Sequence, residues 1–105
     1  MPMLSADASL SPDNKAAFQA FSHKVLAEGA LPAKVKWIIA VAVAHVTQCL
    51  YCIKGHTKAS LRHGASQEEV LEAFWVAAEM RAGGAYAPSL LAIEEMRPAA
   101  KTTSA

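Results

Sequence analysis

Residues 45–65 run HVTQCLYCIKGHTKASLRHGA and hold both cysteines of the chain. Cys49 and Cys52 are three positions apart, His56 follows Cys52 by four, and His45 precedes Cys49 by four. Steps of three and four bring side chains to one face of an α-helix. A helix from Cys49 to about His63 is therefore expected, with Gly64 at its left-handed C-terminal cap. If the polar Thr47-Gln48 step interrupts the helix, Cys49, Cys52 and His56 still share one stripe.

Working outward, helical signals continue in both directions. Before this stretch, Ser11-Pro12 reads as an N-cap followed by proline at the first helical position, with Asp13 in the first turn. Phe18, Phe21, Val25 and Leu26 recur at helical spacing, and Gly29 is the expected stop. A second helix opens after Pro32 and runs from Lys34 to about Val46; past Lys36 it is apolar on nearly every side, as a buried central helix would be. Beyond Gly64, Ser66 and Glu69 form a capping box. They open a helix through Leu71, Phe74 and Trp75 to about Arg81, ended by Gly83-Gly84. A last helix is expected from about Ala85 to Met96, with Pro98 as its stop. No segment alternates with the period of two that a half-buried strand requires. The expectation is one all-α domain of four to five helices over residues 1–105, its core about 12–97, with 1–10 and 99–105 flexible.

Composition narrows the function. Of 105 residues, 53% are hydrophobic and 18% charged, against about 45–50% and about 25% for ordinary soluble domains. That balance excludes intrinsic disorder. It also exceeds what so short a chain hides by itself, since small domains bury only about 60–70% of their unfolded surface; the surplus points to oligomerisation. Ten Lys plus Arg face nine Asp plus Glu. Lys34 with Lys36, or Lys54 with Lys58, are too sparse for the basic stripe of a nucleic-acid binder. The longest apolar run, Trp37 to Ala44, is far short of a membrane span, and Met1 to Leu10 lacks the features of a signal peptide. The expectation is a cytoplasmic protein without nucleic-acid or membrane partners.

In a reducing compartment a close cysteine pair points to redox chemistry or a metal. Two thiols one helical turn apart close a disulfide with little backbone movement. A helix N-terminus favours the reactive thiolate, and His56 can accept or return a proton. Covalent haem attachment fails because Ile53, not histidine, follows the second cysteine. Zinc held by Cys49, Cys52 and His56 with His45 or His63 is disfavoured, because one rigid helix cannot wrap an ion tetrahedrally. A pair of buried structural cysteines is the remaining alternative.

The stretch LPAKVKWIIAVAVAHVTQCLYCIKGHTKASLRHGASQEEVLEAFWVAAEMRAGGAYA, residues 31–87, resembles the core of the carboxymuconolactone decarboxylase-like superfamily. Its Cys-x-x-Cys-x-x-x-His signature at Cys49, Cys52 and His56 is similar to the alkylhydroperoxidase D branch. The resemblance implies an all-α fold that assembles as homotrimers or homohexamers, with the cysteine helix near a subunit interface. It also implies a thiol-dependent peroxidase that reduces alkyl hydroperoxides through Cys49 and Cys52. The resulting disulfide would be reduced by an external dithiol, a lipoyl or thioredoxin-like protein, with no bound cofactor or metal. The superfamily's eponymous decarboxylase works without the cysteine pair, and no lactone-binding residues are recognisable here.

One position departs from the peroxidase pattern. Where that pattern has a proton-relay Glu, twelve residues before the first cysteine, this chain has Trp37. His45, on the cysteine stripe, and Glu79, in the apolar run from Val76 to Met80, are the candidate replacements; a surface Glu79, or one paired with Arg81, is the alternative. His23 and His63 are read as surface residues. A second functional reading follows: a non-enzymatic, redox-responsive or small-ligand-binding oligomer that has lost efficient catalysis along with the relay acid.

Overall fold

A computed structural model describes residues 11–98; the expectations for residues 1–10 and 99–105 lie outside the described residues. The described chain is helical throughout: α1 (Pro12–Leu26), α2 (Ala33–Thr47), α3 (Leu50–Arg62), α4 (Gln67–Tyr86) and α5 (Ser89–Glu95). The all-α reading holds.

Helix ends follow from where orphan backbone groups find partners. The Ser11 hydroxyl accepts from Asn14 N–H and starts α1. The expected cap at Gly29 is two residues too late. Helix α1 ends at Leu26, with Ala27 extended, because the Lys36 ammonium reaches back from α2. It donates to the carbonyls of Val25 at 2.9 Å and Ala27 at 2.8 Å. Glu28 in turn accepts the Ala33 N–H at the start of α2.

Gly64 does close α3, at φ 98°. Its N–H donates to Leu61 O and that of Ala65 to Ser60 O, the paired bonds of a Schellman cap. Gly83-Gly84 does not end α4, which continues to Tyr86. Pro88 is the true stop: Ala87 is still helical, at φ −59° and ψ −43°, but Pro88 has no N–H to donate to Gly84 O and its ring crowds that carbonyl. Helix α5 accordingly starts at Ser89 rather than Ala85.

Helix α2 is the hub, packed along both α3 and α4. The fully or nearly buried residues are Val41 and Ala44 on α2, Ala59 and Ser60 on α3, Ala65 in the turn, and Ala73 and Ala77 on α4. Alanines at the contacts let helix axes approach closely. The Ser60 hydroxyl is satisfied by Thr57 O at 2.8 Å. The expectation that α2 is buried all round is only half met, since Ile39 is 46% and Val43 52% exposed. Neither α1 nor α5 contains a buried residue. The apolar surplus therefore stays on the surface of the single chain.

The start of α4 is fastened twice. Ser66 and Glu69 exchange side-chain-to-backbone bonds of 2.9 and 3.0 Å, and Glu69 pairs with Lys34 of α2 at 3.0 Å. The Ser66 N–H and the Lys34 ammonium hold the Glu69 carboxyl below its usual pKa. A carboxyl lowered by folding stabilises the fold above the ordinary carboxylate range, and that contribution is lost as the pH falls through its lowered pKa. Ser66→Ala is expected to lower unfolding stability by about 1 kcal/mol, measured by urea denaturation at neutral pH. The acid side of the Glu69→Gln stability profile should be flatter than that of the parent.

Candidate active site

Between α2 and α3 the chain turns within two residues. Gln48 adopts the left-handed conformation, φ 61° and ψ 37°, and Cys49 is the N-cap of α3. Three carbonyls at the end of α2 are satisfied around this kink. Ala44 O accepts from the N–H groups of Gln48 and Cys49. His45 O accepts from Gln48 Nε2 at 2.8 Å, and Val46 O from Arg81 Nη1 at 2.6 Å, across from α4. A non-glycine residue in this region is uncommon and persists where its surroundings hold it.

The kink settles which candidate residues come together. Cys49 and Cys52 form a disulfide with Cα atoms 5.2 Å apart, and Cys49 Sγ accepts the Cys52 N–H at 3.2 Å. The first cysteine thus serves as the side-chain cap of α3, where a thiolate is stabilised by a helix N-terminus. Cys52 and His56 line one open cavity of ≈ 150 Å³ with Ala40, Val43, Ala44 and Thr47 of α2. Among the described residues His56 makes no hydrogen bond, and its ring contact is Trp37, at a centroid distance of 5.6 Å. Both imidazole nitrogens therefore remain open to exchange a proton.

The break also turns His45 away. Its Nδ1–H donates to Val41 O at 2.9 Å, and its ring meets the edge of Phe74 at 5.2 Å. It lines a separate cavity with Gln48, Ala77 and Arg81, apart from the one that Cys52 and His56 share. Glu79 is exposed on α4 and lines neither cavity. No Glu79–Arg81 ion pair forms among the described residues: side chains two positions apart on a helix do not face each other, and the guanidinium turns to Val46 O. No group of three His, Cys, Asp or Glu side chains among the described residues is arranged to hold a metal ion.

His63 is exposed, as the sequence suggests, yet its ring is held in place. Its ring stacks on Trp37 at 5.4 Å and 24°, and its Nδ1–H donates to Ala59 O at 2.8 Å. Trp37 therefore touches the imidazole of His56, within α3, and that of His63, its C-cap. The signal was present in the spacing: His56 and His63 are seven residues apart, two helical turns on one face.

A family model for carboxymuconolactone decarboxylase matches residues 12–95. The chain belongs to the carboxymuconolactone decarboxylase family. Within curated proteins it is 62% identical over 71 residues to uncharacterized protein 4 in the cox locus of Paracoccus denitrificans. It is 41% identical over 72 residues to the uncharacterized protein H16_B0147 of Cupriavidus necator. These matches span 68% and 69% of this chain but only 64% of each relative's length. A crystal structure of a protein from Methanobacterium thermoautotrophicum shares the fold at a TM-score of 0.73 and 31% identity, covering 80% of this chain and 97% of that one. The family assignment thus agrees with the helical architecture and with the close cysteine pair, and no helix of the described chain is long and apolar enough to cross a membrane.

The kink at Gln48 is the local feature to test. Gln48→Val, β-branched in a left-handed position, should lower stability by about 1–3 kcal/mol. Gln48→Gly should stay within about 1 kcal/mol of the parent, since relief of strain offsets the lost bond to His45 O. Equal destabilisation by both variants in urea denaturation would show that the backbone conformation carries no strain.

Proposed function

We propose that this family member is a thiol-dependent peroxidase and dithiol oxidoreductase that cycles the Cys49–Cys52 pair. The observation that carries the reading is the disulfide at the N-terminus of α3, with Cys52 sharing its apolar cavity with His56. In the reduced form the Cys52 thiol gives its proton to His56 and attacks the distal oxygen of a hydroperoxide, ROOH. The O–O bond breaks, the alkoxide leaving group takes the proton back as ROH, and Cys52 becomes a sulfenic acid. The Cys49 thiol gives up its proton, its thiolate stabilised by the Cys52 N–H, and attacks that sulfur; the hydroxide leaves with that proton as water as the disulfide forms. An external protein dithiol restores the two thiols by exchange, donating two electrons and two protons. This cycle needs a reducing compartment, consistent with a cytoplasmic location. No resident cofactor enters it.

Proton work falls to His56 in this scheme, since His45 and Glu79 stand apart from the cavity. The contact of Trp37 with His56 favours a second reading. With an indole where the peroxidase pattern has a carboxylate, the pair oxidises and reports redox state without turning over peroxide rapidly. Consumption of cumene hydroperoxide coupled to dithiothreitol separates the two. The peroxidase reading expects turnover that Cys49→Ser and Cys52→Ser each reduce by at least about 10²-fold. It also expects a sulfenic acid trapped by mass spectrometry in Cys49→Ser. A parent with negligible turnover that gains strong activity in Trp37→Glu would establish the second reading instead.

We further propose that copies of the chain associate, as homotrimers or homohexamers. Phe18 and Phe21 on α1, Phe74 and Trp75 on α4, and Leu90 and Leu91 on α5 are exposed in the single chain, an apolar area that marks an interface. A monomer in sedimentation at micromolar concentration would contradict this association.

A further inference from the structure

The outer face of α3 differs in charge from the rest of the protein. Lys54, Lys58 and Arg62 follow one another at steps of four, and all three are exposed. At 100° per residue they form one stripe, on the side of the helix away from Cys52, His56, Ala59 and Ser60. Helix α3 contains no Asp or Glu along its length. Among the described residues none of the three cations makes an ion pair. The whole chain has a formal charge of only +1, so this is a local concentration of positive charge. It begins beside the disulfide: Leu50 and Tyr51, the residues between the two cysteines, are 74% and 84% exposed. With Ile53 and Lys54 they line an open apolar cleft of ≈ 410 Å³.

We propose that this face, an apolar cleft at the disulfide continued by a cationic stripe, is the docking surface for an acidic protein that carries a dithiol. The inference rests on the reading of Cys49 and Cys52 as a cycling pair and specifies the partner that reduces it. The partner's apolar dithiol-bearing tip sits on Leu50 and Tyr51, and its carboxylates meet Lys54, Lys58 and Arg62. One thiolate of the partner attacks Cys49 Sγ, the Cys49–Cys52 bond breaks, and its electron pair goes to Cys52 Sγ, which takes a proton from His56. The second partner thiol gives up its proton and attacks the partner's first sulfur in the mixed disulfide; Cys49 leaves as thiolate and takes up that proton, while the proton of the first partner thiol replaces the one His56 gave to Cys52. The net change is two electrons and two protons moved from the partner dithiol to the cysteine pair. Complementary charge acts mainly on the encounter rate, so the signature is kinetic and sensitive to salt.

The test uses the oxidised full chain, without peroxide, and two reductants: a reduced thioredoxin-like protein of net negative charge, and dithiothreitol. At low ionic strength Lys54→Glu/Lys58→Glu/Arg62→Glu should slow reduction by the acidic protein about tenfold or more, with the neutral Lys54→Gln/Lys58→Gln/Arg62→Gln variant between it and the parent. The difference should shrink at high salt. Reduction by dithiothreitol should be unchanged in every variant, which also shows that α3 remains folded. Equal rates with the acidic protein at all salt concentrations would overturn the proposal. So would an equal loss from Lys24→Glu on α1, or a change of assembly mass in the triple reversal, which would mean that a second copy covers this face. Peroxide turnover is measured separately, so the peroxidase reading can fail while the docking result stands, and the reverse.

Discussion

The left-handed Gln48 is the constraint on which the site depends. Without it α2 and α3 would be one long helix, and Cys49 would be an interior residue whose backbone N–H and side chain have no capping role. With it, the carbonyls of Ala44, His45 and Val46 are satisfied by backbone, Gln48 and Arg81 donors. The new helix starts at Cys49, whose sulfur accepts the Cys52 N–H. The same turn folds α3 back along α2, which brings Trp37 to the histidine face of α3. Arg81 ties the kink to α4, so all three packed helices meet at the point where the cysteines begin.

Chemistry at the site follows from contrast between the two sides of α3. Its inner face offers Cys52 and His56 to an apolar cavity, and its outer face offers hydrophobic side chains and unpaired cations to solvent. Cys52 lines the inner cavity, and Leu50 and Tyr51, between the two cysteines in sequence, line the cleft on the outer face.

Much of this was legible in the sequence, and the misses have physical causes. The capping box at Ser66, the Ser11-Pro12 start and the Gly64 cap are local signals, complete within four or five residues, and each stands where expected. The end of α1 has no complete local signal, because carbonyls there are satisfied by Lys36, ten residues beyond the helix end. Gly83 and Gly84 each weaken a helix by only about 1 kcal/mol, which neighbouring turns bear, whereas Pro88 has no N–H to continue the ladder. Within the site, Cys49, Cys52 and His56 come together because their spacing survives the kink, while His45, on the other side of it, is carried to another cavity. The stacking of His63 on Trp37 required knowledge of how α2 lies on α3, a tertiary relation that no single helical pattern contains.

The contacts between α2, α3 and α4 rest largely on alanine: Ala44, Ala59, Ala73 and Ala77 are all nearly inaccessible. A methyl group leaves little to trim, since only glycine is smaller, and little room for anything larger, because overpacked helices must separate. These four positions therefore act as spacers of fixed thickness between the helix axes. Freedom to vary belongs to the surfaces, while the separation that sets the width of the cavity beside Cys52 is among the least adjustable dimensions of the molecule.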